Sequence, residues 1–122
     1  MRFYLRGSAS MTRIKDERYY AAKLLAEVNK LLSFAKRVDF SDPERNEEAL
    51  YAVGFCVVQA RETIGHLSSE FCRSKLGIRP DRFFDFRNLL VHEYGKTDYS
   101  AYEQFVRVDV VHLKIALEEY LG

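Results

Sequence analysis

Arg87-Asn88-Leu89-Leu90-Val91-His92-Glu93-Tyr94 is the stretch where side chains able to do chemistry lie closest together. An imidazole such as His92 titrates near neutral pH, so its neutral form could take the proton from a ribose 2′-hydroxyl as general base. Arg87 keeps its charge and offers a planar fork to non-bridging phosphate oxygens. There it would offset the added negative charge of a phosphorane-like transition state. Attack by the 2′-oxygen leaves a 2′,3′-cyclic phosphate, needs no metal, and spares DNA for want of that hydroxyl. Asn88 could orient His92 or hold the phosphate, and Tyr94 could donate to the phosphate or position His92. Each residue also has a plainer use: a surface ion pair for Arg87, a satisfied imidazole for His92, packing for Tyr94. The chemistry is suggested by the set and its spacing.

These residues need a helix to bring them together. At about 100° per residue, Phe83, Phe86, Leu89 and Leu90 share one arc, which must face a core. The opposite arc carries Phe84, Arg87, Asn88, Val91 and His92. Asn88 and His92 are neighbours on one edge, and Arg87 and Tyr94 line up on the other. An arc apolar at its centre and charged at its rim suits a partner surface. Self-association about a two-fold axis would set two copies of Arg87 and His92 across one cleft, so a homodimer is expected.

The rest of the chain predicts helices. Ala21, Leu24, Val28, Leu31, Ala35 and Val38 step by three and four within a first helix over about Thr12 to Val38. Asp42 is a candidate cap and Pro43 suits a first helical position. A second helix then carries Leu50, Val53, Val57, Ala60, Ile64, Leu67 and Phe71 as far as Gly77. Gly54 and Gly65 inside that run each cost about 1 kcal/mol, which close approach of another helix would compensate. Pro80 or Asp81 opens the third helix, which bears the motif. Asp98, or Ser100 with Glu103, caps a fourth that buries Val106, Val110, Leu113, Leu117 and Tyr120. No segment alternates as a strand. The expected fold is all-α, an up-and-down antiparallel bundle of four to five helices over residues 11–122. Residues 1–10, ending in Gly7-Ser8-Ala9-Ser10 before Met11, read as a vector-derived leader or a disordered arm.

Composition limits the partners. The 122 residues fit one domain, and a net charge of +1 excludes a bulk polyanion-binding field. Nucleic acid would have to meet a local patch. Between Arg73 and Arg87 lie Arg73, Lys75, Arg79, Arg82 and Arg87 against Asp81 and Asp85, an excess of three positive charges. Such a patch would hold RNA weakly and in a salt-sensitive way. Cys56 and Cys72 are 16 residues apart on one expected helix, too far to bridge, and reduced thiols are expected. His66 and His112 lack companion ligands at a metal-site spacing, so no metal or other cofactor is expected. Tyr19, Tyr20, Tyr51, Tyr99 and Tyr102 read as packing residues. No run has the length of a membrane span, and the cytoplasm is the default location.

The motif Arg-x4-His-x-Tyr at Arg87, His92 and Tyr94, with Asn88 after the arginine, resembles that of the HEPN superfamily in its HepT-like toxin form. Gly95-Lys96-Thr97-Asp98-Tyr99 is similar to that family's short linker to its last helix. Gln59-Ala60-Arg61-Glu62-Thr63-Ile64-Gly65-His66 is similar to its second-helix pattern. The resemblance implies a homodimeric bundle with a composite cleft, acting as the toxin of a toxin–antitoxin pair. Arg87 and His92 would be the catalytic pair of a metal-independent endoribonuclease. Its partner would be a minimal nucleotidyltransferase of the MntA type, which transfers AMP from ATP to the motif tyrosine, here Tyr94. A bulky anion on Tyr94 would fill the phosphate site beside Arg87 and exclude RNA. Relatives often carry a tryptophan before the motif, where this chain has Phe83-Phe84. The other reading is a binding module that partners the nucleotidyltransferase and serves as its AMPylation target without cleaving RNA.

Overall fold

The computed structural model describes the backbone of residues 2–83 and 98–122, and the side chains of residues 16–83 and 98–122. Among the described residues the chain is all-α, without strands. The first helix, α1 (Arg2–Ala35), carries the expected stripe: Ala21, Leu24, Val28, Leu31 and Ala35 are all buried. Burying a Leu- or Val-sized side chain contributes roughly 1.5–3 kcal/mol, so this stripe is a main source of the bundle's stability. Its ends differ from expectation. The helix begins at Arg2, ahead of the expected Thr12; no proline interrupts it, and Gly7 alone is a small penalty. At the other end, Arg37 and Val38 donate to the carbonyls three residues back, Phe34 and Ala35, which tightens the last turn and stops the helix early.

The second helix also starts later than the sequence suggested. Pro43–Asn46 is a single 3₁₀ turn, and Asp42 makes no side-chain cap bond. Asn46 is the true cap of α2 (Glu47–Ile64): its side-chain oxygen accepts from the Ala49 N–H at 3.4 Å. Its amide donates to the Arg37 carbonyl at 3.1 Å, pinning the end of α1 to the start of α2. The expected run to Gly77 is broken. Gly65 is the C-terminal cap of α2, and Ser68 opens a new helix by accepting from the Phe71 N–H at 3.0 Å. This piece, α3 (Ser69–Phe71), passes into a π-helical stretch, Cys72–Leu76, which ends at Gly77 in the left-handed region, φ +65°. The apolar stepping survives the break, because Val53, Val57, Ala60, Ile64, Leu67 and Phe71 are all buried.

Beyond Gly77 lies α4 (Pro80–Phe83), opened by Pro80. After the undescribed residues comes α5 (Tyr99–Gln104), whose cap is Asp98, accepting from the Ala101 N–H at 3.0 Å. A second π-helical stretch, Phe105–Asp109, joins it to α6 (Val110–Leu121). Val106, Val110, Leu113 and Leu117 are buried as expected, and Tyr120 meets Phe71 edge-on with ring centroids 4.8 Å apart.

Polar ties between elements reveal the topology. Ser68 donates to Glu17, and His66 stacks on Tyr20 at 4.5 Å, so the end of α2 lies beside the early part of α1. With Asn46 on Arg37 at the other end, α1 and α2 are antiparallel. Arg18 donates to the Leu121 carbonyl at 3.0 Å and Lys114 to Asn29 at 2.9 Å, so α6 is also antiparallel to α1. Phe71 lies against Tyr120 and Phe83 against Phe105, so residues 71–83 run back along α6 in the opposite sense. The path is that of an up-and-down bundle.

Candidate functional site

Arg87, Asn88, His92 and Tyr94 lie outside the described residues. What the structure builds is the frame on either side of them. On the entry side the Phe83 ring packs against Phe105 at 5.3 Å. On the exit side Asp98 caps α5, and Tyr99 packs against the core. At about 3.3–3.6 Å per residue, covalent geometry holds the Cα of Arg87 within roughly 14 Å of Phe83, and that of Tyr94 within roughly 14 Å of Asp98, whatever the chain does between. Covalent connection alone ties the motif to these two anchors.

The four expected RNA-patch residues Arg73, Lys75, Arg79 and Arg82 are all exposed on the stretch leading into this edge. They divide into two pairs. Arg73 and Lys75 stand on the π-helical stretch, whereas Arg79 and Arg82 line a cavity of about 360 Å3 between α4 and α6. Leu76, Ile78, Phe83 and Leu113 supply apolar wall, and Asp109 and His112 contribute polar groups from the opposite side. Gly77 makes the turn that lets α4 fold back over α6; a Cβ there would meet nothing within 4 Å, so its requirement is purely the positive φ. Asp109 and His112 were not chosen as site residues from the sequence. The available signal was their spacing of three on one helix, which puts both on one face.

The cysteines are not nucleophiles. Both are free and buried. Burial pushes the Cys72 thiol from 9.0 up to about 11 and raises Cys56 as well, so both stay protonated and inert near neutral pH. They lie on separate helices, not the single one the sequence suggested. Burial likewise raises the phenol of Tyr102, whose hydroxyl has no hydrogen-bond partner among the described residues. Tyr19 and Tyr51, expected to pack, are 62% and 68% exposed. The described residues hold no group of three metal-ligating side chains, and no described helix is long and apolar enough to cross a membrane.

A second concave surface lies on the other side of the bundle. The groove between α1 and α2, about 950 Å3, is lined by Phe34, Tyr51, Phe55, Glu27 and Lys30 among others. Phe55 and Val58 beside it are 64% and 49% exposed.

Comparison with known proteins decides the family. The model of the family described as "Ribonuclease HepT-like" matches residues 24–120, nearly the whole bundle with the motif inside it. The chain belongs to the HepT-like ribonuclease family. This places it in the HEPN superfamily, as the Arg87–Tyr94 motif suggested, and supports RNA endonuclease activity. It is also similar to a Methanocaldococcus jannaschii protein named "Putative RNase MJ1380", with 25% identity over 108 residues, covering 85% of this chain and 95% of that protein. No solved structure matches the chain. The bundle of α1, α2 and α6 is the described frame, and the motif lies in the chain between Phe83 and Asp98.

Proposed function

We propose that this HepT-like protein is the toxin of a toxin–antitoxin pair, a metal-independent endoribonuclease in which two protomers share one cleft. His92 takes the 2′-hydroxyl proton, and Arg87 holds the phosphate as charge builds on it. Asn88 and Tyr94 support them, and Arg73, Lys75, Arg79 and Arg82 draw the RNA backbone to the cleft. The product is a 2′,3′-cyclic phosphate with a free 5′-hydroxyl on the departing strand. A nucleotidyltransferase antitoxin silences the enzyme by moving AMP from ATP to the Tyr94 phenol oxygen, releasing pyrophosphate. The observation that carries the reading is the family match, which runs through the intact motif. The test is to incubate purified protein with RNA in excess chelator, wild type beside His92→Ala and Arg87→Ala. Loss of cleavage by at least about a hundredfold in both variants is expected, with unchanged melting. Equal degradation by all three proteins would remove the catalytic assignment.

A second reading has its own support. The exposed Tyr51, Phe55 and Val58 beside the α1–α2 groove form the kind of apolar patch that marks a protein partner. In that reading the bundle docks a nucleotidyltransferase and receives AMP on Tyr94 without turning over RNA. AMP transfer to wild type but not to Tyr94→Phe, with no RNA cleavage by the unmodified protein, would favour it.

A further inference from the structure

We infer that the cavity between α4 and α6 is a nucleotide subsite that takes one unpaired ribonucleotide of the RNA strand. The proposal deepens the ribonuclease reading and rests on it for the identity of the ligand. Its physical basis is the unusual mixture of groups in one small space. Arg79 and Arg82 give two fixed positive charges, Asp109 gives one negative, and His112 adds a donor and an acceptor. Arg79 is shared with Asp81 at the rim, which leaves Arg82 as the lining cation without an ion-pair partner among the described residues to meet an internucleotide phosphodiester. A site for a bare anion would gain nothing from a carboxylate. A carboxylate beside an imidazole on one helical face, with apolar residues in the same lining, instead suits the edge of a nucleobase, with Asp109 accepting from ring or exocyclic N–H groups.

The wall itself is ready for a planar ring. Leu76 and Leu113, at 5% and 1% exposure, form a fixed floor that offers little surface itself, and the half-buried Phe83 is the lining residue with apolar area left to meet a ring. The volume of about 360 Å3 falls at the lower end of the range for small-molecule sites, which suits one nucleotide. The arginines are free to bind. Arg79 meets Asp81 at 3.5 Å with side chains 59% and 66% exposed, a contact that solvent already weakens. Arg82 is exposed and forms no ion pair among the described residues. Position completes the argument. Arg82 precedes Arg87 by five residues, a reach of at most roughly 18 Å, so a strand seated here passes close to the motif. A base inside a duplex could not enter, so the subsite selects single-stranded RNA.

The experiment uses the full-length protein and a tetraribonucleotide carrying 2′-O-methyl groups, which binds without being cleaved. NMR reads the His112 ring protons, with His66 as an internal control for the fold. The tetranucleotide is expected to shift His112 and leave His66 in place. Arg82→Gln and His112→Ala are each expected to weaken binding about tenfold, at unchanged melting temperature. Inorganic phosphate should bind at least about tenfold more weakly than the tetranucleotide. In cleavage assays the same two variants should raise KM and leave kcat within about twofold. An unmoved His112, affinities within twofold of wild type in both variants, or phosphate binding as tightly as the tetranucleotide would each overturn the subsite. Failure of the parent reading looks different. A protein that cleaves no RNA yet binds the tetranucleotide through Arg82 and His112 keeps the subsite and loses the ribonuclease. His92-dependent cleavage with unchanged KM in both variants does the reverse.

Discussion

The groove along α1 and α2 is an open depression of about 950 Å3 whose lining includes Phe34, Tyr51 and Phe55, whereas that beside α6 is an open depression of about 360 Å3 lined by Arg79, Arg82, Asp109 and His112 among apolar residues. The groove lies between two long regular helices, where exposed Tyr51, Phe55 and Val58 recur at steps of four and three. The cavity lies where regular helix fails: it takes Leu76 from one π-helical stretch, Asp109 from the other, and Gly77 from the left-handed turn between α3 and α4. Regular helices present broad apolar faces that suit a partner protein. Asp109, His112 and Leu113 share one helical face by their spacing, and the Gly77 turn brings Leu76, Ile78, Arg79 and Arg82 to that face. The difference teaches where to look for chemistry in this bundle: at the irregular edge that also tethers the motif.

Three substitutions probe this contrast. Leu24→Ala removes a fully buried side chain from the frame that supports both surfaces, and should cost about 3 kcal/mol by urea denaturation. A cost under about 1 kcal/mol would mean that the α1 stripe is not the shared foundation. Gly77→Ala acts on the cavity side alone. It forces a Cβ into φ +65° with no steric clash, so a loss of about 1 kcal/mol is expected, together with a higher KM for RNA. Unchanged KM would separate the turn from substrate binding. Phe55→Ser, on the exposed face of α2, should change monomer stability by less than about 0.5 kcal/mol and leave RNA cleavage intact. If light scattering instead shows that it dissociates an active dimer, groove and cleft belong to one assembly and the contrast collapses.

Much of the frame was legible because it depends on local rules. The stripes through Leu24, Val57 and Leu113 follow helix periodicity, and each of these residues is buried. The Asp98 cap was readable from residue type and place. Errors came where two local signals competed. Asp42-Pro43 is a good helix start on paper, but Asn46 wins because its side chain both caps α2 and reaches back to Arg37. The stretch from Leu50 to Phe71 reads as one helix, since its apolar steps continue across the break. The Ser68 cap starts a new helix while preserving the buried face. His112 reads from the sequence as an ordinary surface or core histidine because it lacks companion ligands at a metal-site spacing.

The sequence by itself determined the helical class, the buried stripes, and the motif whose spacing led to the family. Those follow from interactions between residues a few positions apart, which periodicity and capping chemistry encode directly. Tertiary structure alone decided that Arg79 and Arg82 share one cavity lining with Asp109 and His112. These residues are separated by about thirty positions in the chain. Only the Gly77 turn and the antiparallel return of residues 71–83 along α6 bring them together, and no local pattern records that path.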